Sequence, residues 1–136
     1  NKLILPEEIK VIGSRAFYKC KELKVVHFPE TLLRIGDRAF YFCGMEELNL
    51  PGNLQELGAG AFFKCNSLKK VTIPKGVKKI GEKAFHGCNR LELLEILHGP
   101  EEIGPSLVNR NCMVLCHKGS KVDSYCEASE LKREYV

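Results

Sequence analysis

Residues 29–43 read PETLLRIGDRAFYFC, and every spacing in this stretch recurs at 6–20, 51–65 and 74–88. With each proline as origin, an aliphatic stands three residues on (Ile9, Leu32, Leu54, Val77) and another six on (Ile12, Ile35, Leu57, Ile80). A glycine follows at once (Gly13, Gly36, Gly58, Gly81), then Ala-Phe ending in Phe17, Phe40, Phe62 and Phe85, then a cysteine (Cys20, Cys43, Cys65, Cys88). Proline-to-proline spacing is 23, 22 and 23 residues, and the single deletion falls just after Cys43. A fixed period of this length decides the architecture: one repeat cannot bury its apolar side alone, and stacked repeats bury a continuous core.

Working outward, a short alternating run precedes each proline: Leu23-x2-Val26-x-Phe28, Met45-x2-Leu48-x-Leu50, Leu68-x2-Val71-x-Ile73 and Leu91-x2-Leu94-x-Ile96. Alternation with period two predicts a half-buried strand, and the proline ends it because it has no N–H for a ladder. One strand per repeat, all pointing the same way, predicts a parallel sheet. A fifth, degenerate turn runs through Leu97, Pro100, Ile103, Gly104, Leu107, Val108 and Asn111. About five turns therefore occupy 3–111 of a single domain, and 112–136 form a C-terminal cap. In that cap Ser120 and Asp123 have the spacing of a capping box. Val122, Tyr125, Cys126 and Leu131 would give the following helix its apolar side.

These repeats resemble the BspA-like class of leucine-rich repeats, and Gly119-Ser120-Lys121 with Tyr125 resembles the usual close of that family. The resemblance implies a right-handed α/β solenoid with a parallel sheet on its concave face and short helical or 3₁₀ turns near Ala-Phe-x2-Cys on the convex one. It also implies a non-enzymatic protein, without cofactor, at the surface of a bacterial cell or secreted from it; a cytoplasmic setting is the alternative. The chain opens inside a strand, with no polar cap before Leu3. It thus reads as the C-terminal part of a longer protein, with an open first edge that invites self-association.

Twenty-one Lys and Arg against 17 Asp and Glu leave a net charge of +4, and no Arg-rich groove or interleaved aromatics of the single-strand-binding kind argue for a nucleic-acid partner. Seven Lys and one acid lie between Lys64 and Lys83, but on several columns, which predicts a basic surface spread around the coil. Of seven cysteines, four share one inward column, so they read as a ladder of reduced, buried thiols. Cys112, Cys116, His117 and Cys126 have metal-ligand residue types. Alternation sets Cys116 and His117 on opposite faces, however, and no third group orients a Cys-His nucleophile. No phosphate-binding glycine loop is present, since Gly58-Ala59-Gly60-Ala61 is the repeat's own turn.

Function must then lie in columns the core leaves free. The outward strand positions Val25, His27, Glu47, Asn49, Lys70, Thr72, Leu93 and Glu95 form one variable surface, continued by Lys2 and Ile4. This is the candidate protein-binding face. An aromatic column of Tyr18, Tyr41 with Phe42, Phe63 and His86 reads as stacking between turns, or else as an exposed strip for a partner or a sugar. Val11, Arg34, Glu56, Lys79 and Glu102 alternate in charge after the first and read as a structural ladder. The glycine column serves either a positive φ or a close approach between coils. A non-catalytic protein-binding module is the leading expectation; a structural spacer within a larger protein is the second.

Overall fold

The structure is a computed structural model describing residues 1–136. Its elements, in order, are β1 (Lys2–Ile4), β2 (Val11–Ile12), β3 (Val25–His27), β4 (Arg34–Ile35), β5 (Glu56–Leu57) and β6 (Lys70–Thr72). β7 (Lys79–Ile80), β8 (Leu93–Glu95), β9 (Glu102–Ile103), β10 (Met113–Cys116), α1 (Lys121–Ser129) and β11 (Lys132–Tyr135) complete them. Every pairing is parallel. The chain is a solenoid, as the repeat predicts, of about six coils where the repeat count gave about five.

The coil carries two strand columns rather than one. The strands before each proline build the first face, in two pieces: β1 with β3, and β6, β8, β10 and β11 side by side. A second sheet of five two-residue strands, in the order β2-β4-β5-β7-β9, runs unbroken beside it. It holds the charged column in register, Arg34 beside Glu56, Glu56 beside Lys79 and Lys79 beside Glu102. Of these pairs only Lys79 and Glu102 approach to 3.9 Å, both well exposed, which adds little stability.

The third side differs from the expected helical or 3₁₀ turns. It is a chain of tight turns in which N–H groups alternate between two uses. Ala16, Tyr18 and Cys20 donate back three residues, to Gly13, Arg15 and Phe17. Arg15, Phe17 and Lys19 instead donate along the axis, to Asp37, Ala39 and Tyr41 of the next coil, at 2.7–2.9 Å. Two residues per coil take a positive φ to make this alternation: Arg15 and Lys19, Arg38 and Phe42, Gly60 and Lys64, Lys83 and Gly87.

The core is continuous. Phe40, Phe62 and Phe85 are wholly buried, and the rings from Phe17 to Phe85 stack at 5.1, 5.3 and 5.4 Å. The cysteine column faces inward and all seven cysteines are unbridged. Its thiols do more than fill space. Those of Cys43, Cys65 and Cys88 donate at 3.0–3.1 Å to the carbonyls of Phe17, Phe40 and Phe62, one coil back. Burial pushes the Cys43 thiol up to about 11 and that of Cys88 to about 12.

The cap holds more sheet than its sequence announces, because β10 and β11 add two further parallel rungs beyond β8. Between them, α1 begins at Ser120, whose hydroxyl accepts the Asp123 N–H at 3.2 Å, while the Asp123 carboxylate accepts the Gly119 N–H at 2.8 Å. The Gly119 bond and those from Tyr135 and Arg133 hold the Asp123 carboxyl below its ordinary value. Val122, Cys126 and Leu131 are buried, and the Tyr125 hydroxyl donates to Gly104 O at 2.7 Å. Cys116 is buried and His117 exposed, on opposite sides of their strand. No helix is long and apolar enough to cross a membrane.

Candidate functional site

The eight outward strand positions do not form the even surface that the repeat predicts. Val25 and His27 stand on β3, Lys70 and Thr72 on β6, Leu93 and Glu95 on β8. Glu47 and Asn49 stand on no strand, because Met45–Leu50 is an extended segment that pairs with neither neighbour. This corrects the expectation of a strand there. The cause is local. The deletion after Cys43 shortens this coil while Met45 and Leu48 remain anchored in the core, 0% and 6% exposed. A shorter path to the same anchors leaves the backbone between them off the ladder.

An intact joint shows what is missing. Between β6 and β8, Leu93 N–H donates to Lys69 O at 3.3 Å and Ile73 N–H donates to Glu95 O at 2.9 Å. The equivalent bonds on both sides of residues 47–50 are absent, and a single one of 3.4 Å from Glu46 N–H to Lys24 O is left. The amides of Lys70 and Thr72 face this gap, since alternation turns those of Val71 and Ile73 toward β8. Unpaired backbone groups at a sheet edge are the usual template for another strand.

The gap opens as a groove of about 950 Å³ on the first face. Glu46, Glu47 and Asn49 form one wall; Lys69, Lys70 and Thr72 form the other, with Arg90 at its end. No ion pair joins the acidic wall to the basic one. A smaller groove of about 320 Å³ lies on the other side of the segment, with Val25, His27 and Glu30 facing Glu47 and Asn49. The structure therefore brings six of the eight predicted residues to the edges of one unpaired segment. Leu93 and Glu95 stand apart, on the fully paired β8. Glu46, Lys69 and Arg90 were missed because outward alternation does not select them. The deletion after Cys43 was the signal that could have led to them.

The aromatic column lies on the side of tight turns. Tyr18 and Tyr41 stack at 4.6 Å, Tyr41 and Phe63 follow at 5.5 Å, and Phe63 and His86 at 5.8 Å. Stacking between coils is thus the arrangement observed, with only Tyr18 strongly exposed among the rings. The first pair is nearly parallel, at 13°, and the other two are tilted at 41° and 33°.

The model of the BspA-type leucine-rich repeat region matches residues 1–114 in six copies. Among solved structures, a leucine-rich repeat protein from Bacteroides ovatus superposes with a TM-score of 0.65 at 21% identity, over 90% of this chain and 35% of its own. The leucine-rich repeat protein of T. pallidum gives 0.63 at 20% identity, over 98% of this chain and 85% of its own. The pneumococcal vaccine antigen PcpA gives 0.76 at 21%, over 99% of this chain and 40% of its own. The chain thus spans well under half the length of the Bacteroides and pneumococcal proteins. No curated protein matches it in sequence.

Proposed function

Since the chain belongs to the BspA-type leucine-rich repeat family, a family of repeats commonly used for protein interaction, we propose that it is a non-catalytic protein-binding module that takes an extended segment of its partner on the first strand face. The observation that carries this reading is the unpaired segment Met45–Leu50 with its groove. Backbone donors and acceptors there are offered to a peptide, and the Glu46–Glu47 and Lys69–Lys70 walls supply charge selection. Strand addition draws affinity from the main chain and specificity from alternate side chains, and the walls fit that division. A cell-surface or secreted setting belongs to the same proposal, with the family resemblance as its support, and surface biotinylation of intact source cells tests it.

The binding test is selection of linear peptides from a displayed random library, followed by titration of the selected peptides. Glu47→Lys and Lys70→Glu should each weaken binding by about tenfold, roughly the 1–2 kcal/mol expected of a charged contact at such a rim. Lys78→Glu, outside the groove, should leave it unchanged. Peptides that bind equally well to all of these variants, or a library that yields none, would remove this face as the site and favour the structural-spacer reading.

A further inference from the structure

The side of tight turns carries a second, independent arrangement. Arg15, Lys19, Arg38, Lys64 and Lys83 all adopt a positive φ, between 54° and 61°. This is the left-handed region that favours glycine. Gly60 and Gly87 occupy the same two columns one or two coils away and show what the backbone alone would choose. Over four consecutive coils basic residues hold five of the eight positive-φ positions, and Phe42, Gly60 and Gly87 hold the rest. The positive φ itself serves the alternation of N–H bonds in the tight turns; what the backbone leaves unexplained is a cation at five of these positions, where glycine would be unstrained.

The placement of the charges agrees. Arg15 and Lys19 lie over the Tyr18 ring, Arg38 over Tyr41 and Phe63, and Lys64 over Phe63, at 5.5–6.0 Å from the ring centres. Lys21 lies over Phe42 at 4.8 Å. None of these cations makes an ion pair, and none donates a side-chain hydrogen bond within the chain. The acids beside them in sequence are Glu22, Asp37 and Glu82, none of which pairs with a cation, and Asp37 Oδ1 accepts the Ala59 N–H at 2.9 Å. Lys64 and Lys83, which the sequence assigns to a diffuse basic surface, thus join a line of unpaired charge. The stacked rings beneath space that line at 4.6–5.8 Å per coil.

We propose that this strip binds a linear acidic polysaccharide, a uronate or sulfated glycan, lying along the solenoid axis. The rings repeat at 4.6–5.8 Å along the axis, so an extended polymer lying on this side would meet at least one cation on each of four coils. The cation heads suit carboxylate or sulfate oxygens. Single-stranded nucleic acid fits less well, because it gains its affinity by stacking bases on open aromatic faces, and here the rings of Tyr18, Tyr41 and Phe63 are engaged by neighbouring rings and by the cations over them.

The test is titration of the intact chain with heparin and with polygalacturonate oligomers, using poly(dT) and phosphatidylserine vesicles as competitors. Binding should weaken steeply with salt through counterion release. Arg38→Gln with Lys64→Gln should lower heparin affinity by about tenfold and flatten the salt dependence by about one unit for each cation removed. The pair Lys69→Gln and Lys70→Gln on the first strand face should leave heparin binding unchanged. A strip variant that melts as the parent does yet binds heparin equally well would overturn the proposal. So would equal losses in both pairs of variants, or tighter binding of poly(dT) or vesicles than of either glycan. Should the double variant fail to fold, Lys83→Gln alone, at an exposed turn, gives the same readout at smaller amplitude. None of these outcomes bears on peptide binding in the groove, so the two readings stand or fall separately.

Discussion

A methyl group built on Gly58 would lie 2.6 Å from the Asp37 nitrogen of the preceding coil, and on Gly81 it would lie 2.4 Å from that of Ala59. Built on Gly13 it would meet nothing within 4 Å. Gly58→Val should therefore cost ~3 kcal/mol, the upper range for forcing atoms into a packed site, while Gly13→Ala should change stability by less than ~1 kcal/mol. Denaturant titration of the two variants checks both. The glycine column was plain in the sequence, but its reason was not, because spacing alone does not separate a positive φ from a close approach. The structure chooses close approach here and reserves positive φ for columns filled largely by Arg and Lys. Those residues carry no compositional mark of a left-handed turn; only Gly60 and Gly87 hinted at one. The inward direction of the cysteine column was likewise legible. The thiol bonds to Phe17, Phe40 and Phe62 could not be read, because they join residues of different coils.

Among elements, the strands before each proline were legible because three residues suffice to display alternation. The second sheet was not, because its strands are two residues long and show a single outward position, so a charged column stood in for a strand. The unpaired coil was half legible, its deletion visible and its consequence not. Amide hydrogen exchange should display that consequence directly. Lys70 and Thr72, which face the gap, should exchange at least tenfold faster than Val71 and Leu94 within the ladder, since exchange follows local opening. Inserting one residue between Gly44 and Met45 restores the 23-residue spacing. It should slow exchange at Lys70 and Thr72 to the level of their neighbours and abolish peptide binding at the groove. If the insertion leaves both amides fast, the deletion is not the cause of the gap.

At the scale of the whole molecule, the buried thiols set a pH limit. Burial raises Cys43 and Cys126 to about 11 and Cys88 and Cys112 to about 12, from an ordinary 9.0. A thiol whose value is raised by folding contributes stability that is complete below the unfolded value and is lost as pH climbs toward the folded one. The melting temperature should thus hold steady through neutral pH and fall progressively from about pH 9 toward 12. Thermal melts across that range check the sign, and replacing Cys88 and Cys112 by alanine should flatten the slope even though each variant melts lower at pH 7.

A stack of coils is also a chain of joints in series, and under tension such a chain parts at its softest joint. The coil of β1 and β2 is tied to that of β3 and β4, and the coil of β6 and β7 to that of β8 and β9, by two strand ladders and the tight-turn ladder. The coil holding Met45–Leu50 keeps the second and third of these but lacks the first on both sides. Pulled between its first coil and that of β8 and β9, the solenoid should yield there first, peeling off the coils up to Cys43 as one block and leaving those beyond Lys70 intact. A partner strand seated in the gap would act as a splint across that joint. Force exerted along the solenoid would then be felt at the groove, and occupancy of the groove would decide how much force the solenoid bears.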